Sequence, residues 1–270
     1  MNSGLALLMH SLRRVRILVV VMAWILAGFQ ILLCLAASVI QESIGFGQLA
    51  SLLPDFMRQM LGPSVIALLS FSGIVCLGYF HLAIIGALIG LVVALATEPA
   101  GEIETQFMDL VMAHSMPRHW IITRTLLLIL GCTAFVLTAM MLGTWIGLHW
   151  LAPKEAIQPA MRTARSLICN LGVLLLCWGG VTLAMTSLAR RRSVPASIVG
   201  LLALSSYLVD YLARVWKPAR SVSWLSPFHY FNAIDFLTSG TLPPRDIWIL
   251  TGTAVCGFGL AYVLFSRRDL

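Results

Sequence analysis

Charge is what this chain has least of. Only 11% of its 270 residues are charged, against about 25% in a water-soluble domain. With 59% of residues apolar or aromatic, one core cannot hide so many side chains from water, which excludes a soluble globular enzyme and a disordered tail. Lysine is almost missing: Lys154 and Lys217 are the only two, and neither belongs to the Gly-rich loop that holds nucleotide phosphates. No polar stretch is long enough to form a nucleotide-binding domain. Paired carboxylates, or a nucleophile with its base, are also missing at membrane depth, so the chain reads as no enzyme, with no cofactor or metal of its own. Cys34, Cys76, Cys132, Cys169, Cys177 and Cys256 form no Cys-x-x-Cys pair and stand in apolar stretches, as buried thiols would. A secretory leader is not expected either, because the apolar run after Arg16 outlasts a short signal core.

What is present is apolar length. A spanning helix needs about 20 largely apolar residues, and six runs qualify: about 17–40, 64–97, 120–150, 163–188, 194–215 and 246–265. The reading is an all-α, polytopic membrane protein with six transmembrane helices in one domain, residues 1–270. The second run exceeds one straight crossing and is expected to tilt or project. Net charge is +7. The clusters Arg13-Arg14-x-Arg16, Arg190-Arg191-Arg192 and Arg267-Arg268 abut predicted spans, which suits anionic lipid headgroups better than nucleic acid and puts both termini on the cytoplasmic side.

Three segments lie outside the spans. Residues 1–16 carry Leu5, Leu8, Leu12 and Val15 at helical spacing, as an interfacial helix along the inner leaflet would. Residues 98–118 hold four acidic side chains; Ile103, Phe107, Leu110 and Val111 fall on one face, with Glu102, Gln106 and Asp109 on another. This predicts a short amphipathic helix, preceded by Pro99-Ala-Gly101 and closed by Pro117, whose apolar stripe meets a protein, since an anionic leaflet repels it. The null alternative is a loop helix packed on its own spans. Residues 217–245 form an outer loop containing Trp224, Pro227, Phe228, His229, Tyr230 and Phe231. There Ser226 suits an N-cap and Pro227 the first helical position of a helix dipping into the outer leaflet, or an aromatic anchoring belt, or both.

Few ionisable groups lie at depth. Asp210 and Arg214 share a helical face as a local ion pair or as path or gating charges, and His81 is either an interhelical hydrogen-bonding group or a proton relay. Gly86-x-x-x-Gly90 and Gly143-x-x-x-Gly147 have the spacing that lets helices approach, within the chain or between subunits.

The order of six spans, the block from Glu102 to Arg118 with its acidic start and Pro117-Arg118 close, Ser226-Pro-Phe-His-Tyr-Phe231, and the ending Phe265-Ser-Arg-Arg-Asp-Leu270 resemble bacterial type-2 ABC exporter permeases over essentially the whole chain. The resemblance implies a permease subunit of an ABC transporter in the bacterial cytoplasmic (inner) membrane. It further implies that Glu102, Glu104, Phe107, Asp109, Leu110, Val111, Pro117 and Arg118 form a coupling helix seated on an ATPase subunit, with residues 1–16 a connector helix and Trp224 to Leu237 re-entrant helices. Two ATPase chains carrying ATP and Mg, and a second, identical or homologous permease, would complete the assembly. The cargo would be hydrophobic or amphipathic. A force-transmitting structural or sensory subunit and an ion-driven transporter are the alternatives; the latter calls for ionisable groups at the midplane or repeated halves, and only His81 approaches that.

Overall fold

The computed structural model describes residues 3–43, 70–106, 117, 119–153, 156, 159–231 and 243–267. These form helix α1 (Ser3–Ser43), α2 (Phe71–Cys76), a 3-10 turn (Leu77–Tyr79), α3 (Leu82–Ala96), α4 (Glu98–Glu104), α5 (His119–Leu151), α6 (Met161–Leu188) and α7 (Ser193–Val215). The short α8 (Lys217–Arg220), two 3-10 turns (Ser223–Leu225 and Pro227–Tyr230) and α9 (Pro244–Ser266) follow. Among the described residues all regular structure is helical, and six candidate spans are long and apolar enough to cross a membrane. The chain is a multi-pass membrane protein by length and composition.

Two of the expectations change at the level of the helix. Residues 3–16 do not form a separate interfacial helix: α1 is continuous for 41 residues, about 60 Å at 1.5 Å per residue. No Gly or Pro occurs between Leu5 and Ala27, so nothing interrupts the hydrogen-bond ladder between the amphipathic start and the span. The second run, expected to be one long helix, is broken. Its first piece, α2, is capped by Ser70, whose Oγ accepts the Gly73 N–H at 3.0 Å. The backbone then tightens at Leu77–Tyr79 and turns extended at His81 (φ −66°, ψ 127°) before α3 begins. Gly78 is a weak helix former, and the Tyr79 hydroxyl is held by the Thr144 hydroxyl on α5.

Two close helix pairs frame the bundle. In α1 the residues Val15, Val19, Ala23, Leu26, Leu33 and Ala37 make one buried stripe, which runs along α5. A Cβ at Gly143 would stand 2.5 Å from the Ala27 carbonyl oxygen, and one at Gly147 would stand 2.7 Å from the Cys34 side chain. That pair of glycines is therefore a packing device between α1 and α5, within the chain. The second close pair is α6 with α9. A Cβ at Gly257 would stand 2.6 Å from the Gly180 backbone, and the Ser187 hydroxyl donates to the Ala261 carbonyl at 3.3 Å. Between the pairs lies α3, whose Leu88, Leu91, Val92 and Leu95 enter the main core with Trp178, Ile122, Ile129 and Met140. Helix α7 packs on α3 and α6 and leaves most of its surface open. Four of the six thiols are buried, but Cys169 and Cys256 are exposed, because apolar neighbours in this chain also line the outer face of the bundle.

Candidate functional site

At one end of the bundle, three arginines from three helices close on the acidic segment that follows α3. Thr97 ends α3 with its hydroxyl bonded to the Val93 carbonyl at 2.9 Å. Pro99 then sits in the first turn of α4, where its missing N–H costs nothing and its fixed φ starts a new helix. This turn buries Glu98 and Glu102, with 3% of each exposed.

Each carboxylate is answered. Arg124 of α5 donates from Nη2 to Glu102 Oε2 at 2.8 Å, with both side chains almost completely buried. Glu98 lies between Arg14 of α1, at 3.4 Å, and Arg192, the residue preceding α7, at 3.6 Å. The Arg192 guanidinium also donates to the Ala94 carbonyl at 2.8 Å and to the Thr97 hydroxyl at 3.2 Å, and its backbone N–H donates to Glu104 Oε2 at 3.0 Å. Its positive charge thus stands at the carbonyl end of α3, where the helix dipole favours it. The result is a clasp: one short acidic helix tied to α1, α5 and the start of α7. In a low-dielectric surrounding such pairs are strong only because both partners and their hydrogen bonds are present.

The acidic block is organised differently from the sequence reading. The predicted helix carried Ile103 and Phe107 on a single face. In the structure α4 begins earlier, at Glu98, and ends at Glu104, and Gln106 has φ 57°, a left-handed conformation that stops a helix. Glu102 and Glu104 face partners inside the chain. Phe107, Asp109, Leu110, Val111 and Arg118 lie outside the described residues, and Pro117 is exposed. Sequence reasoning missed Glu98, Arg14 and Arg192 as members of this site, and took Arg124 for an ordinary cytoplasmic charge. The signal for Arg124 was its place four residues inside a predicted span, where an arginine needs a partner.

A second group lies toward the other end. Ser226 Oγ accepts the Phe228 N–H at 3.2 Å and donates to the Ser206 carbonyl at 2.9 Å. Ser206 precedes the end of α7 by nine residues, about 14 Å along the helix, so the chain after α8 doubles back alongside α7. Pro227 opens a 3-10 turn there, and residues 232–242 lie outside the described residues. Phe228 is buried between Tyr207, edge-on at 5.6 Å, and Trp178, at 5.9 Å. His229 places Nδ1 3.8 Å from Asp210 Oδ1, a partner the sequence did not suggest; the Arg214 side chain lies outside the described residues. Tyr230 donates its hydroxyl to the Trp224 carbonyl at 2.8 Å, Trp224 itself is exposed, and Phe231 is buried. His81 is exposed at the break in the second span, its ring 6.1 Å from that of Phe29.

Between α3 and α7 runs a crevice of about 290 Å³, walled by Ile85, Gly86, Ile89, Gly90, Gly200 and Leu204 and ending at Tyr207 and Phe228. A Cβ at Gly86, Gly90 or Gly200 would meet nothing within 4 Å. Gly86 and Gly90 therefore leave space in this chain and do not draw two of its helices together. Among the described residues no group of three metal-ligating side chains occurs. Compared with models of protein families, with curated proteins and with solved structures, the sequence and fold match none.

Proposed function

We propose that this chain is the membrane-spanning permease subunit of an ABC exporter, passive until a separate ATPase subunit, carrying ATP and Mg, moves it. The observation that supports this most is the clasp. A helix of seven residues bonded to three long helices is a place where a push from below reaches several spans at once. The loop beyond Gln106, with Phe107, Asp109, Leu110, Val111, Pro117 and Arg118, is then the part that touches the ATPase, and Glu102 and Glu104 transmit the motion from inside the bundle. On this reading the clasp end is cytoplasmic, both termini lie in the cytoplasm of a bacterial cell, and the segment around Phe228 re-enters the outer leaflet.

The crevice between α3 and α7 supports a hydrophobic or amphipathic cargo, because its walls are apolar and the polar groups Asp210, His229 and Tyr207 gather near one end. Two ATPase chains and a second permease, identical or homologous, complete the assembly, with population shifts between two accesses of the path driven by nucleotide. The experiment is co-purification. Replacing Phe107 and Leu110 together with Asp abolishes recovery of an ATPase subunit while membrane insertion persists; undiminished recovery of the complex refutes the assignment. ATP-driven movement of cargo in vesicles by the complex, and none by the chain alone, separates a permease from a subunit that only transmits force and from an ion-driven carrier.

A further inference from the structure

The break in the second span separates two packed bodies. Phe71 and Val75 of α2 belong to a small apolar cluster with Cys34 and Ala37 of α1 and Leu148 of α5. The face of α3, from Ile84 to Leu95, belongs to the main core with α5 and α6. The Tyr79 hydroxyl, bonded to Thr144, fastens the turn to α5 just before the break. Beyond it, α3 runs through Thr97 directly into the clasp helix α4.

Gln30 of α1 lies against this break. It is fully buried, and neither its Nε2 nor its Oε1 has a hydrogen-bond partner among the described residues. Its carboxamide fills the place a side chain at position 78 would take: a Cβ on Gly78 would lie 2.6 Å from Nε2 and 2.7 Å from Oε1. An uncharged donor and acceptor left unpaired in an apolar interior is costly. The start of α3 supplies what could satisfy it, because the first N–H groups of a helix have no carbonyl within their own helix.

We infer that the second span is a two-piece lever with its joint at Leu77–His81, and that Gln30 is the latch of the joint. In the arrangement described here the carboxamide is lodged against Gly78. When α3 swings with the clasp, α2 stays on α1 and α5, and the carboxamide takes up backbone groups that the joint exposes. Glycine at 78 is required because any side chain would collide with the latch. This device is independent of what drives the clasp, so it stands or falls apart from the ATPase reading.

The test uses the full chain in lipid nanodiscs, with Cys169 and Cys256 replaced by Ser and spin labels at introduced cysteines. One pair, Val39→Cys with Ser72→Cys, reports α1 against α2; the other, Trp24→Cys with Gly90→Cys, reports α1 against α3. The expected result is one narrow distance for the first pair and a broader or split distribution for the second. Gly78→Ala shifts the second distribution and leaves the first in place, and adding Gln30→Ala restores it. Distributions that shift together, or a Gly78→Ala chain indistinguishable from the parent, overturn the inference. If the alanine variant does not insert, amide exchange of the unsubstituted chain decides. Residues 79–83 exchanging on the order of tenfold faster than 86–93 supports a joint that opens locally, and equal protection overturns it.

Discussion

Arg124 and Glu102 show how a single pair of residues can hold an element in place. Both are buried, so neither charge has water to fall back on. Removing one partner leaves the other charge uncompensated, which costs about 3–5 kcal/mol, whereas exchanging both for apolar groups of similar size is close to neutral. Glu102→Gln and Arg124→Met are therefore each expected to lower the melting temperature of the detergent-solubilised chain sharply. Arg124→Met with Glu102→Leu should melt near the parent. A double variant as unstable as the sum of the two singles would mean that the two groups do not act as a pair. Glu98 differs from Glu102 in sharing two half-exposed arginines, Arg14 and Arg192, so either arginine alone should be dispensable at smaller cost than Arg124.

Among the helices, glycine serves two opposite ends. At Gly143 and Gly147 it lets α1 and α5 touch backbone to side chain; at Gly86, Gly90 and Gly200 it leaves a crevice open. The expected outcomes differ in sign. Gly143→Val forces α1 away from α5 and costs about 1–3 kcal/mol, the usual range for overpacking. Gly86→Ala meets no neighbour and gains up to about 1 kcal/mol from helix propensity. Thermal unfolding followed by helical circular dichroism distinguishes them, and equal effects at the two sites would show that the crevice does not exist in the folded chain. Sequence spacing gave the two Gly-x-x-x-Gly pairs the same meaning, because spacing records which residues share a helix face and not what stands opposite that face.

For the molecule as a whole, all the arginines of the clasp stand at one end of the bundle, and the doubled-back segment around Phe228 lies toward the other. Sidedness follows from the lysine and arginine bias and is directly measurable. With the exposed cysteines Cys169 and Cys256 replaced by Ser, a cysteine at Arg191 is expected to react with a membrane-impermeant maleimide only after the inner face of the membrane is opened. A cysteine at Trp150, at the end of α5, is expected to react in intact cells. Labelling of both from the same side would invert or abolish the six-span topology. It would also remove the clasp from the compartment in which ATP is hydrolysed.

The membrane class, the helical class and the approximate limits of the six spans were all legible from composition and run length, because burial in a bilayer requires the same apolar length whatever the neighbouring helices are. Ser226 and Pro227 were likewise legible as a cap and a first turn, since capping is a local hydrogen bond. Four features came only from the tertiary structure: the break at Leu77–His81, the answering of Glu98 and Glu102 by arginines distant in sequence, the return of the chain along α7, and the different fates of the two glycine pairs. Each of these depends on which helix face meets which, and a linear pattern of apolar residues does not encode that in a chain whose outer surface is as apolar as its core.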